Sequence, residues 1–328
     1  MPQAWEGEGG CANALTRLRA SPSATLSRNA GEGLIAGHAW MSAFALEEPA
    51  SLAEALALLD PDDPEVRAIA GGTALMLMMK SGLYRPQRLV SLRRLGLALT
   101  GIRAAAEGGL EIGAMVRLAE IERSAAVRTV APVMAETLLT HSNVRVRNVA
   151  TLGGNLAHAD PHMDLPPVLI ALGATVRVAG PAGERVVAVE DLFTGYLETV
   201  LANNELITGV SIPSQTGRRA TYAKITARTA DDWPALGLAV SVNAEDGIVR
   251  DVRVAIGAAT ETARRLPQAE AALAGRAVND ATLREAGRAA AAEAPVVADH
   301  HGSAAYKRVL IEVHLQRALR RALDGAAR

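Results

Sequence analysis

Thr151-Leu-Gly-Gly-Asn-Leu-Ala-His-Ala-Asp-Pro-His-Met-Asp164 is the stretch on which the reading of this chain turns. Gly153 and Gly154, flanked by the Thr151 hydroxyl and the Asn155 amide, predict backbone N–H groups bare enough to approach an anion closely. A second pair lies upstream in Ala70-Gly71-Gly72-Thr73-Ala74-Leu75, directly after the apolar stretch that begins at Val66. Glycine tolerates positive φ and has no side chain to hold a ligand off, so each pair can form a turn that wraps a phosphate. One pair means little in a chain with 29 glycines among 328 residues. Two, each with a threonine hydroxyl beside it, suggest two walls of one site gripping a long, doubly phosphorylated ligand.

Composition narrows the class. A chain of 328 residues exceeds the usual size of one core, so two or three domains are expected. Hydrophobic residues at 49% and charged residues at 21% are ample for sizeable cores and wrong for a disordered chain. Aromatics are only 3%, so the cores must be built from Ala, Leu and Val. A net charge of −1 leaves no electrostatic footprint for nucleic acid, and too few rings exist for base stacking. The longest apolar runs fall far short of a membrane span. Cys11 is the single cysteine, which excludes internal disulfides and leaves no thiolate set for an iron–sulfur cluster within this chain.

Residues 1–40 are rich in Gly, Ser and Ala without a sustained period and lack the apolar core of a secretory signal. They read as a flexible N-terminal extension with no part in cofactor binding. Gly31, Gly33 and Gly37 have the wrong spacing for a dinucleotide loop. Ser51-Leu-Ala-Glu54 reads as a capping box opening a helix to about Leu59. A short strand at 67–70 should deliver the first glycine loop, and a helix at 75–80 should follow it. Further strands are expected at 89–91, 110–112 and 206–212, with a hairpin of 175–178 and 185–189. Pro132–Thr140 looks helical, and the apolar run Leu165–Leu172 should be a helix with two prolines in its first turn. Beyond the polar run Ser214–Arg219, three strands (221–226, 238–243, 248–256) suggest an antiparallel sheet, followed by helices at 267–274, 281–293 and 304–323.

Several of these motifs, taken in order, resemble the FAD-binding subunit of the molybdenum hydroxylases. That group includes the medium chain of aerobic carbon monoxide dehydrogenase and the flavin domain of xanthine dehydrogenase. The resemblance rests on Ala-Gly-Gly-Thr-Ala-Leu at 70–75, Glu-Ile-Gly-Ala-Met at 111–115 and Thr-Leu-Gly-Gly-Asn at 151–155. Asp-Pro at 160–161, Asp164, Glu-Leu-Ile-Thr-Gly-Val-Ser-Ile-Pro at 205–213, and Tyr222-Ala-Lys224 followed by Arg228 and Asp231 extend it. It runs from about Met41 to the C-terminus. The fold it implies is α+β, an FAD-binding fold of the PCMH type. Two α+β sublobes, about 41–100 and 101–216, make one domain (41–216). A C-terminal domain (217–328) with a three-stranded antiparallel sheet and helices follows.

The resemblance implies a flavoprotein subunit that passes electrons from an iron–sulfur (2Fe–2S) small subunit through FAD to an external acceptor. Substrate is oxidised on a large subunit carrying the molybdenum cofactor, and the whole is a cytoplasmic dimer of heterotrimers, able to sit at the inner face of the membrane. By the same resemblance, Ala70, Gly71, Gly72, Thr73, Ala74 and Leu75 cradle the FAD pyrophosphate and its flank. Thr151, Gly153, Gly154 and Asn155 form the second wall. Ala74 stands where relatives carry a polar residue. Asp164 reads either as a helix N-cap or as an acceptor for cofactor hydroxyls. Ile207 supplies an apolar contact, Lys224 lies beside the isoalloxazine ring, and Asp231-Asp232-Trp233 covers it. His141 stands where some relatives place an aromatic stacking residue.

Other readings compete. His158, Asp160, His162 and Asp164 alternate, which on a strand would place four metal-ligand types on one face of a metal-dependent hydrolase; Pro161 interrupts that run, and no further cluster completes a shell. A stand-alone FAD-dependent reductase of the same fold and a non-catalytic nucleotide-binding module are the remaining alternatives.

Overall fold

The structure, a computed structural model, describes residues 43–95 and 99–324. The extension at 1–40 lies outside them. Three larger sheets and a two-stranded ribbon, β8 (Phe193–Gly195) with β9 (Glu198–Thr199), organise the described residues. The first is parallel, in the order β1 (Ala45–Glu47), β3 (Arg88–Ser91), β2 (Val66–Ile69). Its crossovers are the helices Leu52–Leu58 and Leu75–Lys80. The capping box is present: the Glu54 amide donates to Ser51 Oγ at 3.2 Å, and Glu54 Oε2 accepts from the Ala50 amide at 2.8 Å.

The second sheet is antiparallel: β4 (Ile102–Ala104), β5 (Leu110–Gly113), β10 (Leu206–Ile212), β6 (Thr175–Gly180), β7 (Gly183–Ala188). Its central strand β10 is apolar and almost wholly buried. The helices Pro132–Leu138, Leu152–His158 and Leu165–Leu172 contribute to the same core. Leu165–Leu172 is apolar on every side and buried at every position. A helix without a polar face must be covered all round. Here it lies in the core of the second sheet and also packs on β12 (Leu236–Glu245) and β13 (Ile248–Gly257) of the third.

That third sheet is antiparallel, in the order β11 (Arg219–Ile225), β12, β13, β14 (Arg264–Arg265). The sequence predicts three of its strands; the fourth is a two-residue edge too short to leave a pattern. Asp246 and Gly247, both at positive φ, close the β12–β13 hairpin as Asp-Gly turns do. A second core, rich in Ala, Val and Leu, lies between this sheet and the helices Asp280–Glu293 and Ala304–Asp324. Among the described residues no helix is long and apolar enough to cross a membrane.

Candidate functional site

The first glycine loop joins β2 to the helix Leu75–Lys80. Gly72 sits at φ +71°, in the left-handed region that favours glycine. The backbone N–H groups of Gly71, Gly72, Thr73 and Ala74 donate to no acceptor among the described residues. Four successive bare N–H groups around one left-handed residue form an anion-binding concavity. Ala74 provides no side-chain cap to the helix, so those amides have no competing acceptor.

The second pair differs from the sequence expectation. Gly153 and Gly154 lie inside the first turn of the helix Leu152–His158, and their amides are already used. Leu152 N–H donates to Val116 O, Gly153 N–H to Ala114 O, Gly154 N–H to Thr151 Oγ1 and Asn155 N–H to Thr151 O, at 2.8–3.2 Å. Thr151 is the N-cap, and a Cβ on Gly153 would lie 2.7 Å from that of Ala114. The second wall therefore supplies shape rather than phosphate-binding amides. What it keeps for a ligand is the space at Gly154 and the Asn155 side chain. Asn155 is 7% exposed; its Nδ2 donates to Met163 Sδ at 3.2 Å, and its Oδ1 is buried without a partner among the described residues. A buried acceptor left open in this way calls for a donor.

The two stretches touch. A Cβ on Gly71 would fall 2.2 Å from Val149 O and 2.9 Å from Ala150 Cα, and one on Gly154 would lie 3.6 Å from Ala70 Cβ. Only glycine allows that approach at position 71. Ile207 is packed into the core of the second sheet. Its neighbour Thr208 accepts the Ala114 amide, and Ala114 O in turn accepts Gly153 N–H.

Asp164 makes no capping bond to the helix it precedes, which removes the N-cap reading. Its carboxylate, 2% exposed, accepts three side-chain donors instead. His141 Nδ1 lies 2.7 Å and Lys224 Nζ 3.1 Å from Oδ2, and the Tyr222 hydroxyl lies 2.7 Å from Oδ1. Lys224 Nζ also donates to Thr140 O at 2.8 Å. Burial, then the Asp164 charge, pushes the Tyr222 phenol well above its usual value, so it remains a donor. Arg147 pairs with Glu122 and donates to the carbonyls of His141 and Ser142. Those bonds fix a turn in which Ser142 has φ +55° and from which His141 points at Asp164. Sequence reasoning assigned no role to Tyr222. The signal was available: residues two apart on a strand share a face, so Tyr222 and Lys224 must point together.

The alternating acids and histidines do not share a face. Asp164 belongs to the network just described, and His162 belongs to another. His162 Nδ1 lies 3.1 Å from Asp160 Oδ1 and Nε2 lies 3.2 Å from Asp299 Oδ2, while Trp233 stacks on the ring at 5.3 Å between centroids. Among the described residues no group of three or more His, Cys, Asp or Glu side chains is placed to hold a metal.

The bare-amide turn, the glycine-only contact at Gly71 and the open Asn155 oxygen fit a phosphate-bearing cofactor better than a metal. Residues 42–215 match the family described as "FAD binding domain in molybdopterin dehydrogenase", and residues 221–322 match "CO dehydrogenase flavoprotein C-terminal domain". The chain is 34% identical to the nicotine 6-hydroxylase medium subunit of Paenarthrobacter nicotinovorans, over 85% of this chain and 97% of that protein. It is 29% identical to the glyceraldehyde dehydrogenase medium chain of Sulfolobus acidocaldarius, over 84% and 97%. A solved structure of carbon monoxide dehydrogenase from Hydrogenophaga pseudoflava superposes with a TM-score of 0.83 at 33% identity, covering 87% of this chain and 98% of that one.

Proposed function

Because this chain belongs to the FAD-binding medium subunits of the molybdopterin dehydrogenases, we propose that it carries electrons from an iron–sulfur small subunit, through FAD, to an external acceptor. The family is that of flavoprotein subunits in multi-subunit oxidoreductases, with small and large partner chains. Oxidation of substrate is assigned to the molybdenum-bearing large subunit and the iron–sulfur centre (2Fe–2S) to the small one, in a dimer of heterotrimers. A chain whose single cysteine is Cys11 suits that division, since it has no thiolate set of its own for a cluster.

Bound FAD supplies a carrier that accepts and releases electrons singly or in pairs. The chain's own part is to hold it. The amides of Gly71, Gly72, Thr73 and Ala74 face the pyrophosphate, and Ala70 and Leu75 flank them. Gly154 leaves room for the cofactor, Asn155 Oδ1 accepts a donor from it, and Thr151 and Gly153 fix the helix that presents both. Lys224 holds a cation toward the ring system, with Asp164 behind it, and Ile207 backs the site from β10. The observation that carries this reading is the run of bare amides around Gly72.

Gly72→Val tests it. A β-branched side chain at φ +71° costs on the order of 1–3 kcal/mol in backbone strain. The side chain also crowds the amides beside it. The full complex should still assemble, and flavin content by absorption should fall from one FAD per medium chain to none. A Gly72→Val complex with full flavin occupancy rejects the site. Reduction of bound flavin by NADPH in the isolated chain, with no partner subunit present, would instead make it a stand-alone reductase.

A further inference from the structure

The three side-chain donors around the buried Asp164 carboxylate give it a different job from the one its sequence position predicts. A carboxylate offers about four acceptor positions, and three are taken by His141, Tyr222 and Lys224. Lys224 has three donors and has used two, on Thr140 O and Asp164 Oδ2. We propose that Asp164 acts on the flavin through Lys224, aiming the remaining N–H of that ammonium, and that Tyr222, His141 and Gly237 are positioning residues that hold Asp164 in place. This rests on the placing of Lys224 at the cofactor stated above.

Gly237 enters from the register of the third sheet. It is the cross-strand partner of Lys224 in the β11–β12 ladder. A Cβ built on it would lie 2.5 Å from the Tyr222 hydroxyl oxygen. Any other residue there would push the phenol off Asp164. The missing side chain beside Lys224 is thus the space in which Tyr222 reaches the carboxylate. His141 closes the other side from the turn that Arg147 holds. Asp164 accepts charge-assisted bonds from donors on two separate parts of the chain, 140–147 and β11, and its orientation is set by both.

The test uses the full-length chain, with FAD dissociation constants from titration of flavin-free protein and the midpoint potential of bound flavin. Lys224→Met removes the cation and should raise the dissociation constant at least tenfold and lower the potential. Tyr222→Phe and Gly237→Ala change no charge, yet both should lower the potential in the same direction by misaiming Lys224. Tyr222→Phe with Gly237→Ala should stay close to Tyr222→Phe alone, because the hydroxyl at 2.5 Å is gone and the methyl meets only ring carbons at 3.3 and 3.4 Å. Asp164→Asn in the Lys224→Met background should weaken FAD no further than Lys224→Met does. The proposal is overturned if the paired changes multiply, which would mean that Asp164 touches the cofactor directly. It is also overturned if Tyr222→Phe keeps the wild-type affinity and potential. Should Gly237→Ala fail to fold, Tyr222→Phe with and without Lys224→Met decides the matter. A Lys224→Met protein with unchanged affinity and potential overturns the placing of Lys224 itself, and this proposal with it.

Discussion

Gly153 and Gly154 are neighbours in the chain, yet an added methyl meets different things at each. At Gly153 it would strike the Ala114 side chain and backbone, at 2.7 and 3.1 Å. At Gly154 it would meet the Thr151 hydroxyl at 2.9 Å and otherwise little. Gly153→Ala should therefore destabilise flavin-free protein by about 1–3 kcal/mol, the usual result of overpacking a tight contact. Gly154→Ala should cost about 1 kcal/mol through the disturbed cap, with a larger loss in FAD affinity. Thermal unfolding without flavin, set beside FAD titration, separates the two. A Gly153→Ala protein that melts with wild type, or a Gly154→Ala protein with unaltered affinity, contradicts these roles. The sequence makes the two pairs look alike because composition and spacing carry no φ angle. Nothing in Thr-Leu-Gly-Gly-Asn says that only Gly72 among the four glycines is left-handed. Nor does it say that Thr151 caps a helix rather than lining a loop. Glycine weakens helix interiors, which favours the loop reading. The bonds from Leu152 and Gly153 to Val116 and Ala114, far away in sequence, override that preference.

Elements with a strong pattern follow the sequence closely. The capping box at Ser51, the helix behind Pro166 and Pro167, strand 206–212 and the long C-terminal helix lie where periodicity and caps predict. The helices Leu118–Arg123, Ala125–Val130 and Val144–Arg147 do not announce themselves. At four to six residues they are below the length at which helix propensity acts alone, and tertiary contacts stabilise them. Leu165–Leu172 is the opposite case, since its two first-turn prolines mark a helix start and its uniform apolarity states that the helix is covered everywhere. It touches the second sheet's core and the third sheet, so its loss should be felt by both. Leu169, fully buried, should cost about 2–5 kcal/mol on change to alanine. Loss should appear as one cooperative transition at lower denaturant, seen equally by probes in both halves. Two separated transitions, only one of them shifted, would show that the helix serves a single core.

At the scale of the whole molecule, buried charge ties the segment after the helix Leu152–His158 to the C-terminal helix. Lys307, at 0% exposure, donates to Ala258 O at 3.0 Å and to Asp299 Oδ2 at 2.7 Å. Asp299 faces His162, which faces Asp160, so acid, base, acid and base alternate across the junction. Burial alone would lower His162, but hydrogen bonds and charge from Asp160 and Asp299 outweigh it and hold the imidazole above its ordinary 6.5. Burial would likewise raise Asp160 and Asp299. Bonds from His162 to the first, and from Lys307, the His301 amide and His162 to the second, bring both below 3.8. A base with a raised value stabilises the fold fully below 6.5 and stops doing so as pH climbs through the raised value. Acids with lowered values contribute fully above 3.8 and lose that contribution as pH falls through the lowered ones. The junction is thus tightest between those two ordinary values, 3.8 and 6.5. His158 and His301, lowered chiefly by burial, resist protonation and work against the fold below 6.5, so the wild-type profile alone mixes both signs. Comparison with His162→Gln removes the titrating ring together with its hold on Asp160 and Asp299, and leaves His158 and His301 in place. The melting-temperature advantage of wild type over His162→Gln should be largest near about pH 5.5 and shrink by about pH 9. An advantage that grows with rising pH, or one that stays flat, would mean that His162 is neutral in the folded protein and that its two carboxylate partners do not hold a proton on it.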